Sequence, residues 1–399
     1  MRALPLLALS AALLLALPAR ADAPPAAVKL AHDAVIVDTH IDAPTELLEH
    51  WDDLALPTGK EFDWPKAHAG GLDVGFMSIY TSADQDTTGK AWQVANDQID
   101  GIEALAARHP EKFALLRSPR DVDRLREGGR VLLAFGMENG APIGDDLSKL
   151  QFFFDRGVRY MTLAHSANNR IADSSYALDE QWHGLSPFGK QVVAEMNRLG
   201  IMVDVSHISD ASIRDVLATS TAPVIASHSS LRHFTPGFER NISDELAKAV
   251  AAKGGVVQLA FGTGFVNAQA ASNMQAYFRA AGDFRRANAA AVAAGKPEQS
   301  RDAFESAWDA AHPYPETHID AVLDQIDYGV KLVGIDHIGI GSDFDGVDGH
   351  LPVELRSVAD YPNLVAGLRQ RGYQDADIRK ILGGNLLRVW GAVEARAAR

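Results

Sequence analysis

Seven side chains in this sequence could work together chemically: His40, Asp42, Glu138, His165, His207, His228 and Asp343. Each stands at or just past the end of a short apolar run. His40 and Asp42 are two residues apart at the exit of Val35 to Asp42, and in a strand residues i and i+2 face the same way, so the two would project together. Any one of these histidines could be a loop imidazole bonded to a carbonyl, but that explanation does not cover so many at equivalent positions. Imidazole and carboxylate without sulfur suit zinc best, with manganese or cobalt as substitutes. One catalytic ion needs three protein ligands and an open position, and this set offers more. Two ions roughly 3.5 to 4 Å apart need a bridging carboxylate. Glu138 is the natural bridge, with His40 and Asp42 on one ion and His207 and His228 on the other.

The elements that must carry these residues are eight short apolar runs: 35–42, 74–80, 130–135, 160–164, 201–205, 223–226, 255–261 and 337–342. Helical patterns separate them, for example Lys90 to Arg108 with Trp92, Val94, Ile99, Ile102 and Leu105 near helical spacing. Ser186-Pro187 opens another helix and Gly200 ends it, and Ser243 caps a third. The segment Thr45 to Gly71 reads as an elaborated loop. Strands alternating with helices argue for a parallel sheet, and eight of them for a (β/α)8 barrel of the TIM type. An open doubly wound sheet lacks its Gly-rich phosphate loop here. Active sites of such barrels collect at the C-terminal strand ends, where all seven residues fall. Counting back two residues gives Asp38, Gly136, Leu163, Val205, Ala226 and Gly341 as the expected lining of the bore.

The 399 residues, 47% of them hydrophobic, are enough for a large core. Residues 1–21 have a basic start, an apolar stretch and an Ala-x-Ala end at Ala21, the pattern of a cleaved export signal. Residues 22–34 read as a linker running into a short helix. Residues 35–399 read as one barrel domain with an Ala-rich, charged helical insertion at about 264–315. The charge of −14 makes nucleic acid and anionic membrane poor partners. Cysteine is absent, which excludes thiolate chemistry and Cys-zinc sites. An exported chain of this kind fits a periplasm.

Several motifs run in a fixed order over roughly residues 30 to 390: Asp38-Thr39-His40-Ile41-Asp42, Met137-Glu138-Asn139-Gly140, Leu163-Ala164-His165-Ser166, Asp204-Val205-Ser206-His207, Ser227-His228-Ser229-Ser230, Arg240-Asn241 and Gly341-Ser342-Asp343-Phe344-Asp345-Gly346. This set resembles the renal (membrane) dipeptidase family. The resemblance implies a binuclear zinc dipeptidase on a metallo-dependent hydrolase barrel, with His40, Asp42, Glu138, His207 and His228 as ligands. By the same resemblance His165 would polarise or position the scissile carbonyl, Arg240 would bind the substrate's free carboxylate, and Asp343 would handle the proton. Asp345 reads as a turn or supporting residue. The chain ends Glu394-Ala395-Arg396-Ala397-Ala398-Arg399, without the hydrophobic tail of lipid-anchored relatives, so no membrane anchor is expected. A homodimer is expected by analogy alone.

The expected reaction is attack on the peptide bond of a dipeptide by a hydroxide held between the ions, its pKa brought towards about 7. A D-residue at the C-terminal position and β-lactam hydrolysis are within the family's reach. Other hydrolases on this barrel, such as lactonases, deaminases or phosphotriesterases, usually show His-x-His on the first strand and often a lysine on the fourth; here the first strand gives His-x-Asp and the fourth has no lysine. A non-catalytic periplasmic binding protein would have a damaged proton-transfer position, whereas Asp343 is intact.

Overall fold

A computed structural model describes residues 23–177 and 179–398. The expected export signal lies outside these residues. The described strands are β1 (Ile36–Ile41), β2 (Leu72–Tyr80), β3 (Phe113–Leu115), β4 (Val131–Glu138), β5 (Val158–Thr162), β6 (Met202–Asp204), β7 (Ile225–Ala226), β8 (Val256–Leu259) and β9 (Ile338–Ile340). They pair in parallel in the order β1-β2-β4-β5-β6-β7-β8-β9. A parallel bridge between Ile41 and Phe344 joins the two ends, with Asp42 N donating to Phe344 O at 2.8 Å. The fold is therefore a (β/α)8 barrel, as the strand count predicts.

β3 is an addition to that count. It pairs with Val131 to Leu133 on β4, on the side that β5 takes over only from Phe135 onward, so the start of β4 is covered where β5 is still too short to reach. The segment after β1 is also more helical than its mixed composition suggests, with helices at Ala43–Glu49 and Trp64–Gly70. The second begins at Asp63, whose side chain accepts from Lys66 N. The expected caps are present on the later helices. Ser186 accepts from Gly189 N, Gly200 stops that helix at φ 82°, and Ser243 accepts from Leu246 N.

The bore is filled by Val74, Phe76, Leu132, Ala134, Tyr160, Met202 and Ile225, with Trp390 of the helix Asn385–Glu394 packed against its lower end. Leu163, Val205 and Ala226, expected to line the bore, belong instead to the outer core between strands and helices. The reason is local. β5 and β6 stop at Thr162 and Asp204, before the residues they deliver, and His207 takes a left-handed φ of 68°. Strict alternation is lost, so stepping back by two from the histidine lands on the wrong face.

The insertion forms helices at Ala268–Ala293 and Arg301–Ala311, joined by Phe284 and Phe304 stacked with ring centres 4.7 Å apart. Phe278 packs on Tyr176 at 3.9 Å, and Tyr176 lies 5.9 Å from the His207 ring. This hairpin therefore leans over the strand-exit mouth. Among the described residues no helix is long and apolar enough to cross a membrane.

Candidate metal centre

His40 sits on β1, and Asp42 just past it stands at the start of the following helix, so one turn of chain delivers both. His40 Nε2 is 3.3 Å from Asp42 Oδ2, so the two converge as expected although Asp42 lies just beyond the strand. Glu138, the last residue of β4, stands between the two halves of the site. Its Oε2 is 3.4 Å from His40 Nε2, while its Oε1 is 3.0 Å from His207 Nε2, 3.2 Å from His228 Nε2 and 3.5 Å from His165 Nε2. Ser78 on β2 donates to Oε2 at 3.1 Å and fixes the carboxylate from the side. Asp343, at the exit of β9, places Oδ1 3.9 Å from His40 Nε2. Both His207 and Asp343 take φ 68°, and Asn139, directly after Glu138, takes 79°. Left-handed backbone at non-glycine residues costs of order 1 to 3 kcal/mol each and is tolerated where surroundings hold it.

The electrostatics suit cations. Burial works against ionisation of Glu138, but His40, His165, His207 and His228 outweigh it and hold the carboxyl well below its ordinary value. Burial, assisted by Arg240, keeps His207 and His228 well below the ordinary imidazole value, so both are neutral. His165 is lowered for the same reasons. Burial also works against a charge on His40, but Tyr160, Asp42 and Glu138 together outweigh it and raise the imidazole well above its usual value. The carboxylates that favour a proton there equally favour an ion, because ligands shed protons on binding metal. Burial, then the charges of Asp42 and Glu138, push Asp343 well above the ordinary carboxylate value.

These residues fit a metal centre on geometry alone. His207 Nε2 and His228 Nε2 lie 2.8 Å apart and both point at one oxygen of Glu138. His40 Nε2 is buried among three carboxylates and has no hydrogen-bond partner among the described residues. Among the described residues donor atoms gather within 4.8 Å in three sets: His40, Glu138 and His228; Glu138, His165 and His207; His40, Asp42 and Asp343. Glu138 belongs to two of them, as a bridging ligand must.

Arg240, 2% exposed, is a buried part of the centre. Its Nη1 donates to Ser229 Oγ at 2.7 Å, its Nη2 to the His228 carbonyl and to His207 Nε2, each at 2.8 Å, and its guanidinium lies 5.1 Å from the Phe265 ring centre. Asp345 supports a loop rather than the chemistry: it accepts from Glu61 N at 2.7 Å and Phe62 N at 3.1 Å. Asp38 accepts from His40 N and Ser342 N, tying β1 to β9, and Asp204 accepts from Ser206 N and Ser227 N beneath His207 and His228.

The membrane dipeptidase family, peptidase family M19, matches residues 25–399. This chain belongs to that family. Dipeptidase tcpJ of Claviceps purpurea is 32% identical over 301 residues, which are 75% of this chain and 60% of the relative, so the chain spans less than two thirds of that relative's length. The crystal structure of the probable dipeptidase PvdM from Pseudomonas aeruginosa aligns with a TM-score of 0.81 at 28% identity, covering 93% of this chain and 98% of that one. A metallo peptidase from Rhodobacter sphaeroides, liganded with a phosphinate mimic of the dipeptide L-Ala-D-Ala, aligns with a TM-score of 0.73 at 24% identity over 90% of this chain and 99% of that one, a likeness of fold. The class of the chain is accordingly that of the metallodipeptidases on a (β/α)8 barrel.

The structure adds residues to this family centre that pattern reading missed. Tyr80 ends β2 and meets the His165 ring edge-on at 4.8 Å. Its signal in the sequence is its place at the exit of the second apolar run, equivalent to the positions of the other site residues. Tyr176 comes from an irregular loop that gives no such signal. Gly346 lies so close that a Cβ there would sit 2.3 Å from Asp42 Oδ2 and 2.8 Å from Asp343 Oδ1. Gly346→Ala should therefore displace the Asp42 carboxylate and weaken ion binding roughly 10- to 100-fold, with little change in melting temperature. Competition against a chelator measures this, and unchanged affinity would show that the loop yields freely.

Proposed function

We propose that this protein is a zinc-dependent dipeptidase holding two ions per chain, with manganese or cobalt as workable substitutes. The observation that carries this reading is the position of Glu138, one oxygen facing His40 and the other facing His207 and His228, in a chain of the membrane dipeptidase family. His40, Asp42 and Glu138 would hold one ion, and Glu138, His207 and His228 the other. When bound, such a pair supplies Lewis acidity and a water acidic enough to act at neutral pH.

The protein's own groups do the rest. Arg240 offers a fixed positive charge for the free carboxylate of a dipeptide, held in place by Ser229 and the His228 carbonyl. His165, backed by Tyr80, orients the scissile carbonyl. Asp343 accepts a proton from the attacking water and returns one to the leaving amine. A D-residue at the C-terminal position is part of the proposal, in line with the dipeptide mimic held by the Rhodobacter sphaeroides protein. A periplasmic setting, from the export pattern of residues 1–21, and a homodimer, by family analogy, complete it.

The test is a panel of free dipeptides, including L-Ala-D-Ala, and their C-terminal amides. Free dipeptides should be hydrolysed, chelation should abolish turnover and zinc should restore it, and amidation should cost on the order of 10-fold or more because the Arg240 partner is lost. Hydrolysis that survives full chelation, or that prefers lactones or amidated peptides, would contradict this reading.

A further inference from the structure

Tyr160, on β5, reaches His40 across the bore of the barrel. Its Oη lies 2.9 Å from His40 Nδ1 and 2.9 Å from the carbonyl oxygen of Thr39. A carbonyl can only accept, and a phenol has one proton to give. The phenol proton goes to Thr39 O, so the phenol oxygen is left to accept from His40 Nδ1–H. That keeps the proton on His40 Nδ1, so Nε2 is the nitrogen that gives up its proton and offers a lone pair when an ion binds. Nε2 is the atom that faces Asp42, Glu138 and Asp343.

The bore is shaped for this ring. A Cβ at Gly136 would sit 1.9 Å from Tyr160 Cζ, so only glycine leaves room for it. The ring packs on Phe76 at 5.4 Å, and Phe76 on Trp390 at 5.3 Å, which ties the phenol to the helix at the lower end of the barrel. A phenol keeps its proton at neutral pH, so it stays a donor. His228 has a comparable support: Ser227 Oγ donates to Asp204 Oδ2 at 2.6 Å and faces His228 Nδ1 at 2.8 Å. Among the described residues His165 and His207 have no hydrogen-bond partner at Nδ1.

We infer that Tyr160 is a positioning residue that sets His40 as an Nε2 ligand, so that affinity for the ion on the His40–Asp42 side depends on a hydroxyl supplied from inside the barrel. The inference rests on the centre taking metal, which belongs to the reading above. The test is titration of the chelated full-length protein with zinc, alongside melting of the metal-free form. Tyr160→Phe keeps the ring and removes the hydroxyl; Phe76→Leu keeps the hydroxyl and loosens the packing.

Tyr160→Phe should weaken one of the two ions roughly 10- to 100-fold, leave the other within a few-fold, and leave metal-free melting close to wild type. Phe76→Leu should lower the melting temperature and leave both affinities near wild type. Wild-type affinity for both ions in Tyr160→Phe would overturn the inference. So would an equal loss at both sites accompanied by a fall in metal-free melting, which would make Tyr160 a packing strut only. Wild-type protein that binds no zinc would instead sink the dipeptidase reading itself.

Discussion

Glu138→Gln should cost this protein its ions and, with them, on the order of 10³-fold or more in dipeptide turnover, beyond the 10- to 100-fold typical of supporting residues. Both Glu138 oxygens are committed, Oε2 to His40 and Ser78 and Oε1 to His165, His207 and His228. A glutamine is nearly the same size, so packing should survive. It is neutral, however, and one of its two terminal atoms becomes an N–H donor where an acceptor is required. Losing a single charge at the junction therefore affects both halves of the centre. Elemental analysis per chain beside steady-state rates checks this. Full occupancy in the variant would mean that Glu138 is not the bridge.

Asp343→Asn should leave the ions in place and remove the proton shuttle, lowering kcat by roughly 10²- to 10⁴-fold. Asparagine is among the side chains that tolerate the left-handed φ of 68° at this position, so the loop should keep its path. The carboxyl lies 3.9 Å from His40 Nε2, farther than Asp42 or Glu138, which suits a group that works beside the ions rather than one that holds them. Two outcomes would remove it from the proton-handling role. Turnover within a few-fold of wild type at full metal content would do so, and so would loss of an ion, which would make Asp343 a ligand in the set it shares with His40 and Asp42.

The legible part of this protein was what alternation and strand order encode. His40, near the end of β1, and Asp42, just past it, converge at the first strand exit, and Glu138, His165, His207, His228 and Asp343 join them because a parallel barrel brings every strand exit to one mouth. Three things were not legible, each for a physical reason. The bore lining was misassigned at Leu163, Val205 and Ala226 because the strands end early and His207 turns left-handed, so period-two counting fails where the active residues sit. Arg240 gave no sign of its burial, since it comes from a loop whose path depends on contacts with Ser229 and His228. Tyr160 and Gly136 act on each other across the bore, and no local pattern in either strand records that the missing side chain of one makes room for the ring of the other.

The central claim is that two ions share Glu138. Titrating the chelated wild-type chain with zinc, while counting bound ions and following hydrolysis of a free dipeptide in the same samples, tests it most directly. The account predicts two tightly bound ions per chain, with hydrolysis appearing as the second is filled, and neither feature in Glu138→Gln. Full hydrolysis at one ion per chain or fewer would contradict it.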